Sequence, residues 1–176
     1  MTTPLLTPYL KELPSWHKTV KDKFLLFDTD AIISIISYKA EKIFDELKSL
    51  NVTNCYIHPV YAELLRTQSN AERIKRQSVI SKFLFQKLPL VKKDFDNASL
   101  IQIWLFNKQR YPSPTDLYMA GKLESYPHND ILLLTSNLND FLHPLFKRTA
   151  SIVLQNTVQT KIISILAINH EELVPF

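Results

Sequence analysis

The feature that most restricts this chain is a set of short, unbroken apolar runs. Phe24–Phe27 reads FLLF, Ile131–Thr135 reads ILLLT, and Lys161–Ile168 carries a similar run near the C-terminus. None alternates polar with apolar residues, so each is expected to bury both of its faces. Strands of that kind belong in a mostly parallel sheet with helices on both sides. The segments between them have helical periodicity. Ala31–Lys39 carries Ile32, Ile33, Ile35 and Ile36, and Glu41–Leu50 places Ile43, Phe44 and Leu47 on one face. Residues 51–54 read as a turn and Cys55–His58 as a second strand. Pro59 suits the first turn of a helix that continues through Tyr61–Arg66. Ala71–Gln86 reads as a helix with a stripe of Ile74, Val79, Ile80, Phe83 and Leu84, Leu88–Val91 as a third strand, and Phe95–Lys108 as a helix on Ala98, Ile101, Trp104 and Leu105. Ser113-Pro114-Thr115-Asp116 has the chemistry of a helix start, and Leu117–Leu123 follows. The expected fold is α/β: three layers, α/β/α, around a mostly parallel five-stranded sheet.

Composition narrows the function classes. At 176 residues one domain is expected, with 1–23, interrupted by Pro4, Pro8 and Pro14, as a lead-in and 24–176 as the domain. A single cysteine, Cys55, excludes a disulfide framework and a multi-cysteine metal site, and is expected to be a small buried residue. A single glycine, Gly121, excludes phosphate-cradling and dinucleotide-binding loops, which need several. No apolar run approaches the ~20 residues of a membrane span. The first residues lack the basic-then-apolar pattern of a secretory signal. A cytoplasmic protein with no membrane partner is expected. The net charge of +4 leans toward an anionic partner. Between Arg66 and Lys93 eight basic residues face one acid, Glu72. A solvated helix face is one explanation. The other is a track for a polyanionic backbone, with Arg66, Arg73, Lys75 and Arg76 as its substrate-binding candidates.

The acidic residues share a register. Asp28 and Asp30 follow the first strand, Glu63 lies on the helix after the second, Asp116 is in the first turn of a helix, and Asn137 and Asp140 follow Ile131–Thr135. Parallel sheets bind ligands outside the carboxyl ends of their strands, where strand order reverses, so acids from four distant segments can converge there. Gathered carboxylates repel and take up protons unless a cation joins them, and oxygen-only ligation selects hard ions such as Mg²⁺ or Mn²⁺. A metal held there can polarise a phosphoryl oxygen, activate water and orient in-line attack. Thr135 or Ser136 would position a water or a phosphate oxygen. The five histidines are scattered and form no metal-spaced pair. Each acid also has a local explanation: Asp28 or Asp30 as a helix cap, Glu63 as a solvated surface residue, Asp116 as the partner of Ser113 in a capping box, Asn137 and Asp140 as turn residues.

These segments resemble the motifs of the PIN-domain nucleases. Phe24-Leu25-Leu26-Phe27-Asp28-Thr29-Asp30 resembles the family's opening strand, which ends in Asp-Thr-Asn. His58-Pro59-Val60-Tyr61-Ala62-Glu63 resembles the second motif. Pro114-Thr115-Asp116-Leu117-Tyr118-Met119-Ala120 resembles the third, and Thr135-Ser136-Asn137-Leu138-Asn139-Asp140-Phe141 the fourth. The resemblance runs from Phe24 to about Phe141. It implies a Mg²⁺- or Mn²⁺-dependent endonuclease, an endoribonuclease in the first instance, with Asp28, Glu63, Asp116 and Asp140 as catalytic metal ligands assisted by Asn137 or Asp30. It also implies RNA or DNA as substrate, frequent homodimers and, as in the VapC-type toxins, an antitoxin protein as partner. Asp30 stands where the family often has Asn, and Asn137 where it often has Asp. The lead-in and the span from Glu63 to Asp116 are longer than in the shortest toxins.

Other readings compete. A non-catalytic PIN-like module would keep the fold and bind nucleic acid or protein without metal. A haloacid dehalogenase-type phosphatase fits Asp28-Thr29-Asp30 and Leu132–Thr135. The chain after Thr135 then supplies Lys147 and Lys161 but no strand-ending acidic pair. A response-regulator receiver needs a phosphate-accepting Asp after the middle strand, for which Asp94 is a poor candidate.

Overall fold

The computed structural model describes residues 16–83, 85–141 and 144–173. Helix α1 (Trp16–Val20) leads into β1 (Phe24–Phe27), followed by α2 (Thr29–Ser37), α3 (Lys42–Ser49), β2 (Thr53–Ile57), α4 (His58–Leu64), α5 (Asn70–Lys82) and β3 (Gln86–Leu88). Then come α6 (Lys92–Asn107), α7 (Pro114–Glu124), β4 (Ile131–Thr135), β5 (Phe146–Gln155) and β6 (Thr160–Ile168). The sheet has the order β3-β2-β1-β4-β6-β5. β1 lies parallel to β2 and β4, with Phe24 opposite both Thr53 and Ile131, and β2 lies parallel to β3. Only β6 runs against its neighbours β4 and β5. The α/β class and the predominantly parallel sheet are as expected.

The chain leaves β1 toward β2 and β3, then returns through α6 and α7 to place β4 on the other side of β1. Right-handed crossovers put α2–α5 on one face and α6–α7 on the other. Strand order therefore reverses between β1 and β4, and their carboxyl ends lie side by side. Leu25, Leu26, Phe27 and all of β4 are buried, as apolar runs without alternation require.

Several boundaries differ from the sequence reading. Among the described residues the sheet has six strands rather than five; the additional one is β5, at the edge. The third strand is Gln86–Leu88, earlier than Leu88–Val91, because α5 ends at Lys82 instead of running to Gln86. Val79 and Ile80 are buried, but Ile74 is exposed; Leu84 lies outside the described residues. Of the lead-in, residues 1–15 lie outside the described residues, and Trp16–Val20 is helical with Val20 fully buried.

The one glycine marks a close contact between α6 and α7. A Cβ on Gly121 would lie 2.2 Å from the carbonyl oxygen of Asp94 and 2.8 Å from the nitrogen of Ala98. Beside it, Lys122 Nζ donates to Asp94 Oδ2 at 2.9 Å and to the Pro89 carbonyl at 2.7 Å, while Val91 N–H donates to the same Asp94 oxygen at 2.8 Å. Both charged side chains are buried, so α6 and α7 are joined by a desolvated ion pair.

With glycine absent from the helix ends, other residues take its place. α2, α3 and α6 each finish with a residue at positive φ: Lys39 at 53°, Asn51 at 58° and Gln109 at 57°. The following N–H groups turn back in the same way each time, from Ala40 to Ile35 O, Val52 to Leu47 O and Arg110 to Leu105 O. This is the left-handed helix cap that usually takes glycine.

Candidate active site

β1 delivers Asp28 to the rim of the sheet. It stands at the N-cap position of α2 yet makes no side-chain cap bond. Its Oδ2 instead accepts the hydroxyl of Thr135 at 2.7 Å, across the junction of β1 and β4. The local cap explanation therefore fails for Asp28. The residue is 7% exposed. Burial pushes its carboxyl from the ordinary 3.8 up to about 7; the charges of Asp116 and Asp30 add to the rise, and the Thr135 hydrogen bond opposes it. Asp30 is exposed in the first turn of α2.

Glu63 is not a solvated surface residue. Its Oε2 accepts the Thr29 hydroxyl at 2.9 Å and its Oε1 the Thr115 hydroxyl at 2.5 Å. One carboxylate thus ties α4 to the starts of α2 and α7, which lie on opposite sides of the sheet's switch point. Both threonines are buried. They follow or precede an acid in the sequence, and no periodicity or spacing announces their role, because the contacts span 34 and 52 positions.

Asp116 does serve as the cap partner of Ser113. Its Oδ2 accepts the Ser113 hydroxyl at 2.6 Å and the Ser113 N–H at 3.2 Å, and its own N–H donates to Ser113 Oγ at 3.2 Å. The cap does not exhaust it. Burial raises its carboxyl above the ordinary range, and the charges of Asp140 and Glu63 raise it further against the Ser113 hydrogen bonds. Asp116 is thus coupled to three of the other acids: its charge lifts Asp28, and those of Asp140 and Glu63 lift it.

The fourth segment is a tight turn after β4. Asn137 Nδ2 donates to Asp140 Oδ2, and Asn137 N–H donates to Thr135 Oγ1 at 3.0 Å. Asn137 therefore orients two neighbours. Thr135 is fully buried with its proton directed at Asp28, so it positions that acid and does not reach a water or phosphate at the surface. Ser136 Oγ is buried, with no hydrogen-bond partner among the described residues.

The basic candidates divide. Arg66, Arg73 and Lys75 are exposed. Arg76 is turned inward, donating to the Leu64 carbonyl at 3.0 Å and pairing with Glu72 at 2.5 Å; it pins α5 to the end of α4. Cys55 is buried, as expected, and burial pushes its thiol up to about 12.

No protein-family model matches the chain, and no curated protein matches it in sequence. Its fold is similar to a chain of VapBC2 from Rickettsia felis in complex with a DNA fragment from their promoter. The TM-score is 0.53 at 19% identity, over 65% of this chain and 89% of that one. At that identity the likeness speaks for the fold alone.

The donor set at the rim consists only of oxygens, the chemistry that suits Mg²⁺ or Mn²⁺. Among the described residues no lysine or arginine pairs with Asp28, Glu63, Asp116 or Asp140. Nor is any group of three His, Cys, Asp or Glu already gathered about one point for a metal, because each carboxylate is turned onto its own hydroxyl or amide donor. The donor chemistry fits a hard divalent cation, and the mutual repulsion gives such an ion something to relieve. No helix among the described residues is long and apolar enough to cross a membrane.

Proposed function

We propose that the chain is a PIN-like, metal-dependent endonuclease that hydrolyses RNA phosphodiester bonds. The observation that carries the reading is Asp28: a carboxylate at a helix start that makes no cap bond, held by Thr135, with its carboxyl raised by burial and further by Asp116 from a segment far away in sequence. Asp28, Asp116 and Asp140 would hold Mg²⁺ or Mn²⁺, with Glu63, Asp30 and Asn137 assisting. When bound there, such an ion would offset the charge of the cluster and supply Lewis-acid polarisation of a substrate phosphoryl oxygen.

The chain's own groups supply orientation. Thr135 fixes Asp28, Ser113 fixes Asp116 and Asn137 fixes Asp140. Glu63 braces the two helix starts through Thr29 and Thr115. The buried walls of β1 and β4 keep water from Asp28, which strengthens every electrostatic interaction there. Exposed Arg66, Arg73 and Lys75 would meet the substrate backbone. The likeness to a VapBC chain supports extending the reading to a toxin held by a protein antitoxin. Relief of growth arrest on co-expression with a neighbouring small gene product would bear on that extension.

The test uses Asp28→Asn combined with Asp116→Asn. Mn²⁺-dependent cleavage of structured RNA should disappear while the melting transition remains. Undiminished cleavage would end the proposal. A second reading, a non-catalytic PIN-like binding module, is favoured by Asn137 donating to Asp140 and by the absence of a ready three-carboxylate group among the described residues. Mn²⁺ should raise the melting temperature of the enzyme, since it binds the folded state, and leave that of the binding module unchanged.

A further inference from the structure

Next to the acidic rim is a cleft of about 240 Å³ lined by Gln109, Arg110, Tyr111, Pro112, Asn139 and Asp140. One wall is the turn between α6 and α7; the other is the turn after β4 that carries Asp140. The first wall is held in shape. Gln109 N–H donates to Phe106 O at 2.9 Å and Arg110 N–H to Leu105 O at 3.0 Å, which fixes the turn on the end of α6, and Pro112 restricts the backbone beyond it.

On this braced turn the side chains face solvent. Tyr111 is 77% exposed, and its ring leans on that of Phe106 with centroids 5.2 Å apart. Arg110 is exposed and has no ion pair among the described residues, although Asp140 lines the same cleft. A largely exposed aromatic ring tilted against its neighbour, a guanidinium without an ion pair among the described residues beside it, and a carboxylate of the rim in the lining match the parts of one nucleotide. A base stacks on the ring, a phosphate meets the arginine, and the next phosphate lies toward the carboxylates. The cleft is smaller than the ~300–1,000 Å³ that encloses a drug-sized ligand, so it suits a single nucleotide.

We propose that this cleft seats one unpaired nucleotide of the substrate, with its base on Tyr111 and its phosphate on Arg110. The proposal rests on the nuclease reading for the class of ligand and adds to it that the strand must be single at this point. A base within a duplex has both faces covered by its neighbours and cannot lie on Tyr111.

The experiment measures binding of a fluorescent single-stranded RNA and of a blunt RNA duplex by anisotropy, in EDTA, so that neither cation nor cleavage is involved. The single strand should bind more tightly than the duplex. Tyr111→Ala should weaken it by ~5- to 150-fold, the range for losing one base–aromatic stack, and Tyr111→Phe should leave it unchanged. Arg110→Ala should lower the slope of log affinity against log salt by ~0.7, the contribution of one phosphate contact on a single strand. Equal binding by Tyr111→Ala and the unaltered protein, or duplex binding as tight as single-strand binding, would overturn the proposal. The two readings fail separately. If Asp28→Asn with Asp116→Asn still cleaves, the nuclease site is misplaced while the nucleotide seat stands. If those variants lose cleavage but Tyr111→Ala binds normally, the seat falls and the nuclease stands.

Discussion

Asp28→Asn should make the cation-free protein more stable at neutral and alkaline pH. The folded protein holds this carboxyl near 7, against 3.8 ordinarily. Between those values the native state binds a proton that the unfolded chain has released, so native stability falls as pH rises through that window. At about 1.4 kcal/mol per pH unit the loss totals about 4 kcal/mol once pH exceeds 7. Asparagine has the same shape, carries no charge, and can still accept the Thr135 hydroxyl through its amide oxygen. The stability advantage of the variant should therefore be absent below pH 4, widen up to pH 7 and then level off. For a chain of this length, 1 kcal/mol moves the melting temperature by about 2–4 °C, so a rise on the order of 10 °C is expected at pH 8. The assay is thermal or urea unfolding of both proteins in EDTA from pH 4 to 8.5. Added Mn²⁺ should narrow the gap by stabilising the unaltered protein. An Asp28→Asn variant no more stable than its parent at pH 8 in EDTA would show that the carboxylate is not under strain, and the case for a cation at the rim would lose its physical basis.

Three further predictions concern the scaffold. Thr115→Val removes a hydrogen bond to a carboxylate and should cost ~1.5–3 kcal/mol in urea unfolding, with the loss shared by RNA cleavage because Glu63 is released on one side. Lys122→Ala leaves Asp94 buried and unpaired and should cost ~3–5 kcal/mol; a melting temperature within a degree or two of the parent would refute the tight pairing of α6 and α7. Gly121→Ala drives a methyl group against backbone atoms that cannot rotate away, and should destabilise by at least ~1–3 kcal/mol, the usual cost of overpacking.

The sequence makes the central sheet readable because double burial demands continuous apolar strands, and FLLF and ILLLT have no other good use. The register of Asp28, Glu63, Asp116 and Asp140 follows from those strands. β5 is unreadable for the converse reason. It is an edge strand of irregular polarity, with a register shift between Arg148 and Ala150, and Lys147, Arg148 and Thr149 interrupt its apolar residues. The inward turn of Arg76 is equally hidden, since its partners Leu64 and Glu72 are recognisable only once α4 and α5 are packed. The bracing of Glu63 by two threonines and the buried Asp94–Lys122 pair also depend on tertiary contact between distant segments. Composition counts a lysine or a threonine as surface-compatible wherever it falls, so it carries no trace of either.

Three helices end on Lys39, Asn51 and Gln109 in a backbone conformation that costs a residue with a side chain roughly 1–2 kcal/mol, less for asparagine. Thermostabilising this protein would therefore begin at those exits, far from the acidic rim in the case of Lys39. Lys39→Gly offers a foothold for laboratory engineering that leaves the chemistry alone, whereas the same change at Gln109 would loosen the mouth of the nucleotide cleft.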